Sequence, residues 1–238
     1  NQNFLISLAK DREEFDFMTH LQGLYAAAMK DVTASENDVV VFQMLSFTHY
    51  HFLFATAALW RCHLSEGFAS ARAAIDATLI AAQIINDRAS QIAYMNRQKP
   101  FDKLMRHLKN LISAGKTLPH PHVPALVNMH DAFSSFASHA DIDSFAHRAE
   151  FIEQGGKTIF TVGYFQVADD DDMRRIHALT LFHTFVLMLD VFSPFLLAHG
   201  VIPEQWHREV QALGGAIERR GQMLKDKLAA REAAAAKP

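Results

Sequence analysis

Between Gly67 and Asn86 the chain runs for about twenty residues, five to six helical turns, with only two charges, Arg72 and Asp76. Everything around them is small or apolar, from Ala71, Ala73 and Ala74 through Ile75, Leu79 and Ile80 to Ile84. A surface helix carries more polar residues, so this segment is predicted to be a helix buried on most of its sides. Residues four apart project from the same helical face. The two charges are therefore expected to form a buried ion pair. Burying ions is costly unless they are well paired, so the pair is either a staple that fixes helix register or part of a site. Arg preceding Asp is also the less favourable order for an exposed helical bridge.

Length and composition set the bounds. A chain of 238 residues, half of them hydrophobic and 21% charged, is long enough for one large globular domain with its own core, and wholesale disorder is excluded. A net charge of −3 and a pI near 6.5 give no basic footprint, so RNA as a partner is not supported by charge. The single Cys62 cannot form an internal disulfide and suits a reducing compartment. No amino-terminal stretch has the basic, apolar, small-residue order of a signal peptide. A cytoplasmic location is the expectation.

Leu179 to Ala198 is apolar apart from His183 and Asp190 and long enough to span a bilayer. A carboxylate in mid-span is expensive and Pro194 follows it. The segment reads as the central helix of a bundle, with no membrane association.

The remaining sequence reads as helix after helix. Phe15, Met18, Leu21, Leu24 and Tyr25 mark an amphipathic helix over Asp11 to Met29. Thr33 and Glu36 form a capping-box signature, with Ser35 a competing cap, ahead of a helix to about Arg61. Ser65 is expected to cap the Arg72/Asp76 helix and Asp87 a shorter one to Arg97. Pro100 suits the first turn of a helix reaching about Ser113.

The His-rich Pro119 to Pro124 segment is loop punctuation. Helices are expected from about Ala125 to Ser138 and, capped by Asp141, to about Glu153. Gly155-Gly156 breaks the chain, and Lys157 to Val167 is β-branched and aromatic, an extended segment or hairpin. Asp169 to Asp172 complement the amino end of the long helix that follows. Gly200 ends that helix, and Pro203 opens the last. The expected fold is all-α: a multi-helix up-down bundle with a short β-hairpin or extended insertion near 157–167. One domain spans 1–232, and 233–238 form a low-complexity tail.

Candidate chemistry concentrates at few places. His139 follows a helix end, where an imidazole either stabilises the helix carboxyl terminus or, facing a cleft beside Arg72, does acid–base work. Asp190 lies four residues before Pro194, which cannot donate to the Asp190 carbonyl. Arg61, Arg72 or a histidine is expected to satisfy the carboxylate. The alternative is a polar pocket in which Arg72, Asp76, His183 and Asp190 face a ligand. No Glu-x-x-His occurs, and the fourteen histidines lack metal-ligand spacing, so neither a metal nor another cofactor is expected. The aromatic run Phe42, Phe47, Tyr50, Phe52, Phe54, Trp60 is assigned to core packing first and subunit contact second.

Two motifs carry a resemblance. Arg72-Ala-Ala-Ile-Asp76 on an apolar helix, then Ser135-Phe-Ala-Ser-His139 at a helix end, is similar to the HEPN-like helical families. In particular it resembles a bacterial branch with an Arg-small-x-x-Glu helix and a Ser-x-x-x-His turn. The likeness covers roughly Phe42 to Arg148. It implies a helical bundle, often dimeric, that is either a metal-independent ribonuclease of a defence system or a non-catalytic interaction module. Arg72 and His139 match the family's Arg and His. Asp76 stands where Glu is usual, and Ala140 where Pro or Gly is usual.

The family's ribonuclease signature, Arg followed four to six residues later by His, does not occur. The expectation is therefore an interaction or defence-linked module that self-associates and binds a partner protein. A ribonuclease using Arg72, Asp76 and His139 and a small-ligand binder using Asp190 and His183 are the alternatives.

Overall fold

A computed structural model describes residues 2–30, 38–97, 103–137, 149–162 and 171–235. Among these, nine helices and one two-stranded antiparallel sheet make an all-α protein that is 82% helical. In chain order the elements are α1 (Gln2–Lys10), α2 (Arg12–Met29), α3 (Val39–Leu59), α4 (Leu64–Ile84), α5 (Arg88–Met95), α6 (Leu104–Ser113) and α7 (Val123–Ala137), then β1 (Ala149–Gln154), β2 (Lys157–Val162), α8 (Asp171–Ala198) and α9 (Glu204–Ala235).

The apolar run in α8 explains the layout. Leu181, Phe182, Phe185, Met188, Leu189, Phe192 and Leu196 are all fully buried, so neighbours surround this helix as its composition demands. Helices α2, α3, α4, α7 and α9 pack on it. Tyr25 of α2 donates from its hydroxyl to the Phe185 carbonyl at 2.8 Å, and Trp206 of α9 donates to the Leu24 carbonyl at 3.1 Å. Each large aromatic thus buries its ring and satisfies its polar end. Two helices, α3 and α8, are long and apolar enough to cross a membrane by length and composition alone. Two-thirds of the most apolar α8 window is buried within the protein, against less than half of the α3 window.

The tightest pairing is α3 with α4. The chain reverses through Cys62, whose φ of 64° is left-handed. The Cys62 amide bonds to the Leu59 carbonyl and the His63 amide to the Ala58 carbonyl, which closes the end of α3. Gly67 then crosses α3 so closely that a β-carbon would lie 3.2 Å from the Ala55 carbonyl oxygen. Gly67→Ala should therefore cost about 1–3 kcal/mol by prying the pair apart. An unchanged urea midpoint would show that the crossing can yield.

Several boundaries follow the sequence. Asp87 caps α5 by accepting from the Ala89 and Ser90 amides at 3.0 and 3.2 Å. Asp11 precedes α2, and Pro203 precedes α9. Other expectations need correction. His63, not Ser65, holds the capping position of α4. The described part of α6 runs from Leu104 to Ser113, and Pro100 lies outside the described residues. Residues 149–153 are not the end of a helix capped by Asp141. They form β1, paired with β2 across Gly155-Gly156, whose φ values of 62° and 72° suit a tight hairpin turn. A strand needs a partner, and the diglycine supplies it from the preceding segment. Thr33, Ser35 and Glu36, and Asp141 itself, lie outside the described residues.

Candidate functional site

The principal polar cluster is built where α7, α8 and α9 meet. Asp190, on the otherwise apolar α8, is only 13% exposed at its side chain. His122, just before α7, brings its Nε2 to 2.8 Å from Asp190 Oδ2 and must donate, since the carboxylate accepts. From the first turns of α9, His207 places Nδ1 3.2 Å from Oδ1. The other ring nitrogen of His207, Nε2, lies 3.0 Å from the side-chain amide nitrogen of Gln211.

That second contact is poorly aligned. Asp190 Oδ1 and His207 Nδ1 are buried atoms with no well-formed hydrogen bond, although they lie side by side. Burial pushes the Asp190 carboxyl up, but the His122 hydrogen bond, the charges of His122 and His207 and the Ser193 hydroxyl together hold it below the usual carboxylate value. His120 extends the cluster. Its Nδ1 accepts from the His122 amide at 3.3 Å, and the two rings lie 5.0 Å apart.

His183, two turns before Asp190 on α8, opens onto a cleft of about 220 Å³. Met129, Leu179 and Ile217 supply its apolar floor, and Thr180, Glu218, Gln222 and Lys225 its polar wall. The arrangement can orient imidazoles against one carboxylate and hold a small polar molecule nearby. Among the described residues, no three His, Cys, Asp or Glu side chains are placed to hold a metal ion.

Burial also holds the imidazoles of His49, His51, His120 and His183 below their usual value. Their folded forms bind protons less readily than the unfolded chain, which titrates near 6.5. Stability is then fully present above that value and is lost as pH falls through it. The Asp190 contribution is present above its unfolded value of 3.8 and disappears only at lower pH. A urea midpoint lower at about pH 5.5 than at about pH 7.5 is expected. Equal midpoints would contradict the buried neutral histidines.

The Arg72–Asp76 expectation is overturned. Both residues are exposed, on an outward strip of α4 that also carries Glu66 and Ala69. The helix is packed on its other sides, by α3, α7 and α8, which accounts for its small apolar residues. A helix enclosed on most sides still keeps one narrow open strip, and the two charges sit there. Asp76 lies 3.4 Å from His130 Nε2 of α7 and is half exposed. Among the described residues Arg72 has no hydrogen-bond or ion-pair partner. Arg72 and Asp76 therefore do not share a pocket with Asp190 and His183. His139 lies outside the described residues.

The buried ions are elsewhere. Asp11, just before α2, Glu14 of α2 and Asp172 of α8 are each at most 3% exposed. Arg174 and Arg175 both reach Asp11 at 2.9 Å, Arg220 of α9 reaches Glu14 at 3.1 Å, and Lys227 reaches Asp172 at 2.7 Å. Burial raises the Asp11 carboxyl even so, because desolvation outweighs the pull of the two arginines. This network ties the starts of α2 and α8 to the second half of α9.

Two surfaces complete the inventory. Phe47, Tyr50, Leu53 and Phe54 of α3 are 45%, 59%, 45% and 54% exposed. The aromatic run thus divides: Phe52 and Trp60 enter the core, and Phe42 packs edge-on to Phe195. A second cleft, of about 510 Å³, is lined by Lys103, Met105, Arg106, Lys109 and Asn110. The whole-chain charge conceals this cationic patch. No protein-family model matches the chain, and no curated protein or solved structure matches it significantly.

Proposed function

We propose that this chain is a HEPN-like helical interaction module of the cytoplasm, working through the outward face of α3 rather than by chemistry of its own. The observation that carries this reading is the exposure of Phe47, Tyr50, Leu53 and Phe54 along about two turns of one helix. Monomeric proteins rarely leave a contiguous apolar stripe uncovered, and such patches mark contact surfaces. Tyr and Phe are also the residues that dominate binding energy at interfaces.

A photo-crosslinking residue placed at Tyr50 should give protein adducts in cells, whereas one at Gln222 on the far side should not. Equal labelling at both positions would end this reading.

The ribonuclease alternative draws on one observation, the unpartnered exposed guanidinium of Arg72, which is free to meet a phosphate. The cationic cleft on α6 adds to it. Incubation with total RNA tests it: cleavage lost in a folded His139→Ala variant would establish it, and no cleavage by the intact protein would discard it. The ligand-binding alternative rests on the misaligned Asp190–His207 contact. A thermal-shift screen that finds no stabilising metabolite would leave that cluster structural.

A further inference from the structure

The cleft beside His183 carries opposed charges that nothing in the protein uses. We infer that this cleft, between α8 and α9, binds a free α-amino acid with an aliphatic side chain, its ammonium on Glu218 and its carboxylate on Lys225. The inference goes beyond the interaction reading and does not depend on it.

Helical spacing builds the site. Thr180 and His183 are three residues apart on α8, and Glu218, Gly221 and Lys225 are three and four apart on α9, so each set shares one helical face. Glu218 and Lys225 themselves stand seven apart. An ion pair within a helix needs three or four, and those positions hold Gly221 and Gln222 instead. Among the described residues neither charge has a hydrogen-bond or ion-pair partner. Neighbouring cations on α9 do. Arg220 reaches Glu13 and Glu14, and Lys227 and Arg231 reach Asp172.

Gly221 makes the opening between the two charges. It lies inside a helix of 32 residues, where glycine is less stable than alanine. No packing contact requires it, since a β-carbon there would meet nothing within 4 Å. Gly214 differs, because a β-carbon at that position would lie 3.1 Å from Val186 of α8. A glycine that no neighbour demands, midway between two open charges, leaves room for a molecule.

Volume and charge define that molecule. A dry cavity of about 150 Å³ accommodates benzene, so the cleft of about 220 Å³ takes about nine non-hydrogen atoms in proportion, the size of leucine, isoleucine or methionine. Met129, Leu179 and Ile217 cover an aliphatic side chain. The Glu218 carboxylate accepts from an ammonium, and the Lys225 ammonium and Thr180 hydroxyl donate to a carboxylate. Only a zwitterion satisfies both charges: a simple anion would face Glu218, and a simple cation Lys225.

Isothermal titration calorimetry and thermal shift on the full chain test the assignment, with L-leucine, L-isoleucine and L-methionine as probes. At least one should bind saturably and raise the melting temperature. Its N-acetyl form lacks the ammonium and its amide form lacks the carboxylate. Each should bind roughly tenfold more weakly, the scale of one lost charged hydrogen bond. Glu218→Gln should weaken the amino acid to the same extent and leave its N-acetyl form unaffected, and Lys225→Gln should do the same with respect to the amide form. Both residues are exposed, so these variants should fold. Gly221→Leu should keep or raise the melting temperature of the unliganded protein and abolish binding, which separates a filled cleft from a damaged fold.

No saturable binding of the three amino acids at millimolar concentration overturns the inference. Binding that survives both Gly221→Leu and Glu218→Gln overturns it too, by placing the ligand elsewhere. Tighter binding of the amide than of the amino acid would make the cleft a site for simple amines and overturn the zwitterion. Crosslinking at Tyr50 reads the α3 face alone, so the two readings stand or fall separately.

Discussion

Arg175→Ala should destabilise the fold by about 3 kcal/mol or more, the scale expected when a buried ion pair loses one member. Arg175 bonds to Asp11 Oδ1 through Nε at 2.9 Å, to the Lys10 carbonyl through Nη2 at 2.8 Å and to Asp172 through Nη1 at 3.2 Å. It also lies 3.9 Å from Glu14. Removing it leaves three almost fully buried carboxylates leaning on Arg174, Arg220 and Lys227. That residual support places the loss at the low end of the range for buried pairs. Arg72→Ala should cost under about 1 kcal/mol, as an exposed side chain with little to lose. Urea denaturation of the two variants side by side is the check. Equal losses would mean that the α2–α8–α9 network carries no special weight.

The other large effect is expected at Phe68. This ring is 1% exposed, stacks on Phe133 with centroids 4.6 Å apart, and lies 5.2 Å from Phe136 and 5.9 Å, edge-on, from His177. Phe68→Ala should cost about 3–5 kcal/mol through lost burial and the cavity left behind. The damage should also spread. Phe68 clamps α4 to α7, and His122, whose carbonyl accepts from the Leu126 amide of α7, holds Asp190. A shift of the His122 imidazole resonances in the variant would show that the clamp positions the polar cluster. Unmoved resonances would make Phe68 a packing residue only.

The helical architecture could be read from the chain because its signals are local. Asp87 as a cap and Pro203 before the last helix each act within one turn, and the structure keeps both. The Asp190 environment was partly legible. A carboxylate in an apolar helix must find partners, and histidine was among those expected. That it would be His122 and His207, 68 and 17 positions away, depends on how α7 and α9 cross α8, which no local pattern encodes. The Arg72–Asp76 pair was misplaced for a related reason. Small residues around a charge signal close helix packing, but they do not say which strip stays open. Nothing local in the sequence marks Asp11, Glu14 or Arg220 for burial, since Asp11 and Glu14 fall among the polar positions of an amphipathic segment and Arg220 in a helix rich in charge. Only the packing of the starts of α2 and α8 against the middle of α9 buries the two carboxylates.

The Gly155-Gly156 hairpin offers a practical handle. Residues 152–159 are exposed along their whole length, and both glycines already occupy a turn conformation that asks nothing of a side chain. Insertions are tolerated best at exposed loop tips. An epitope or fluorophore spliced between the two glycines would report on assembly without touching α3, α4 or the histidines around Asp190.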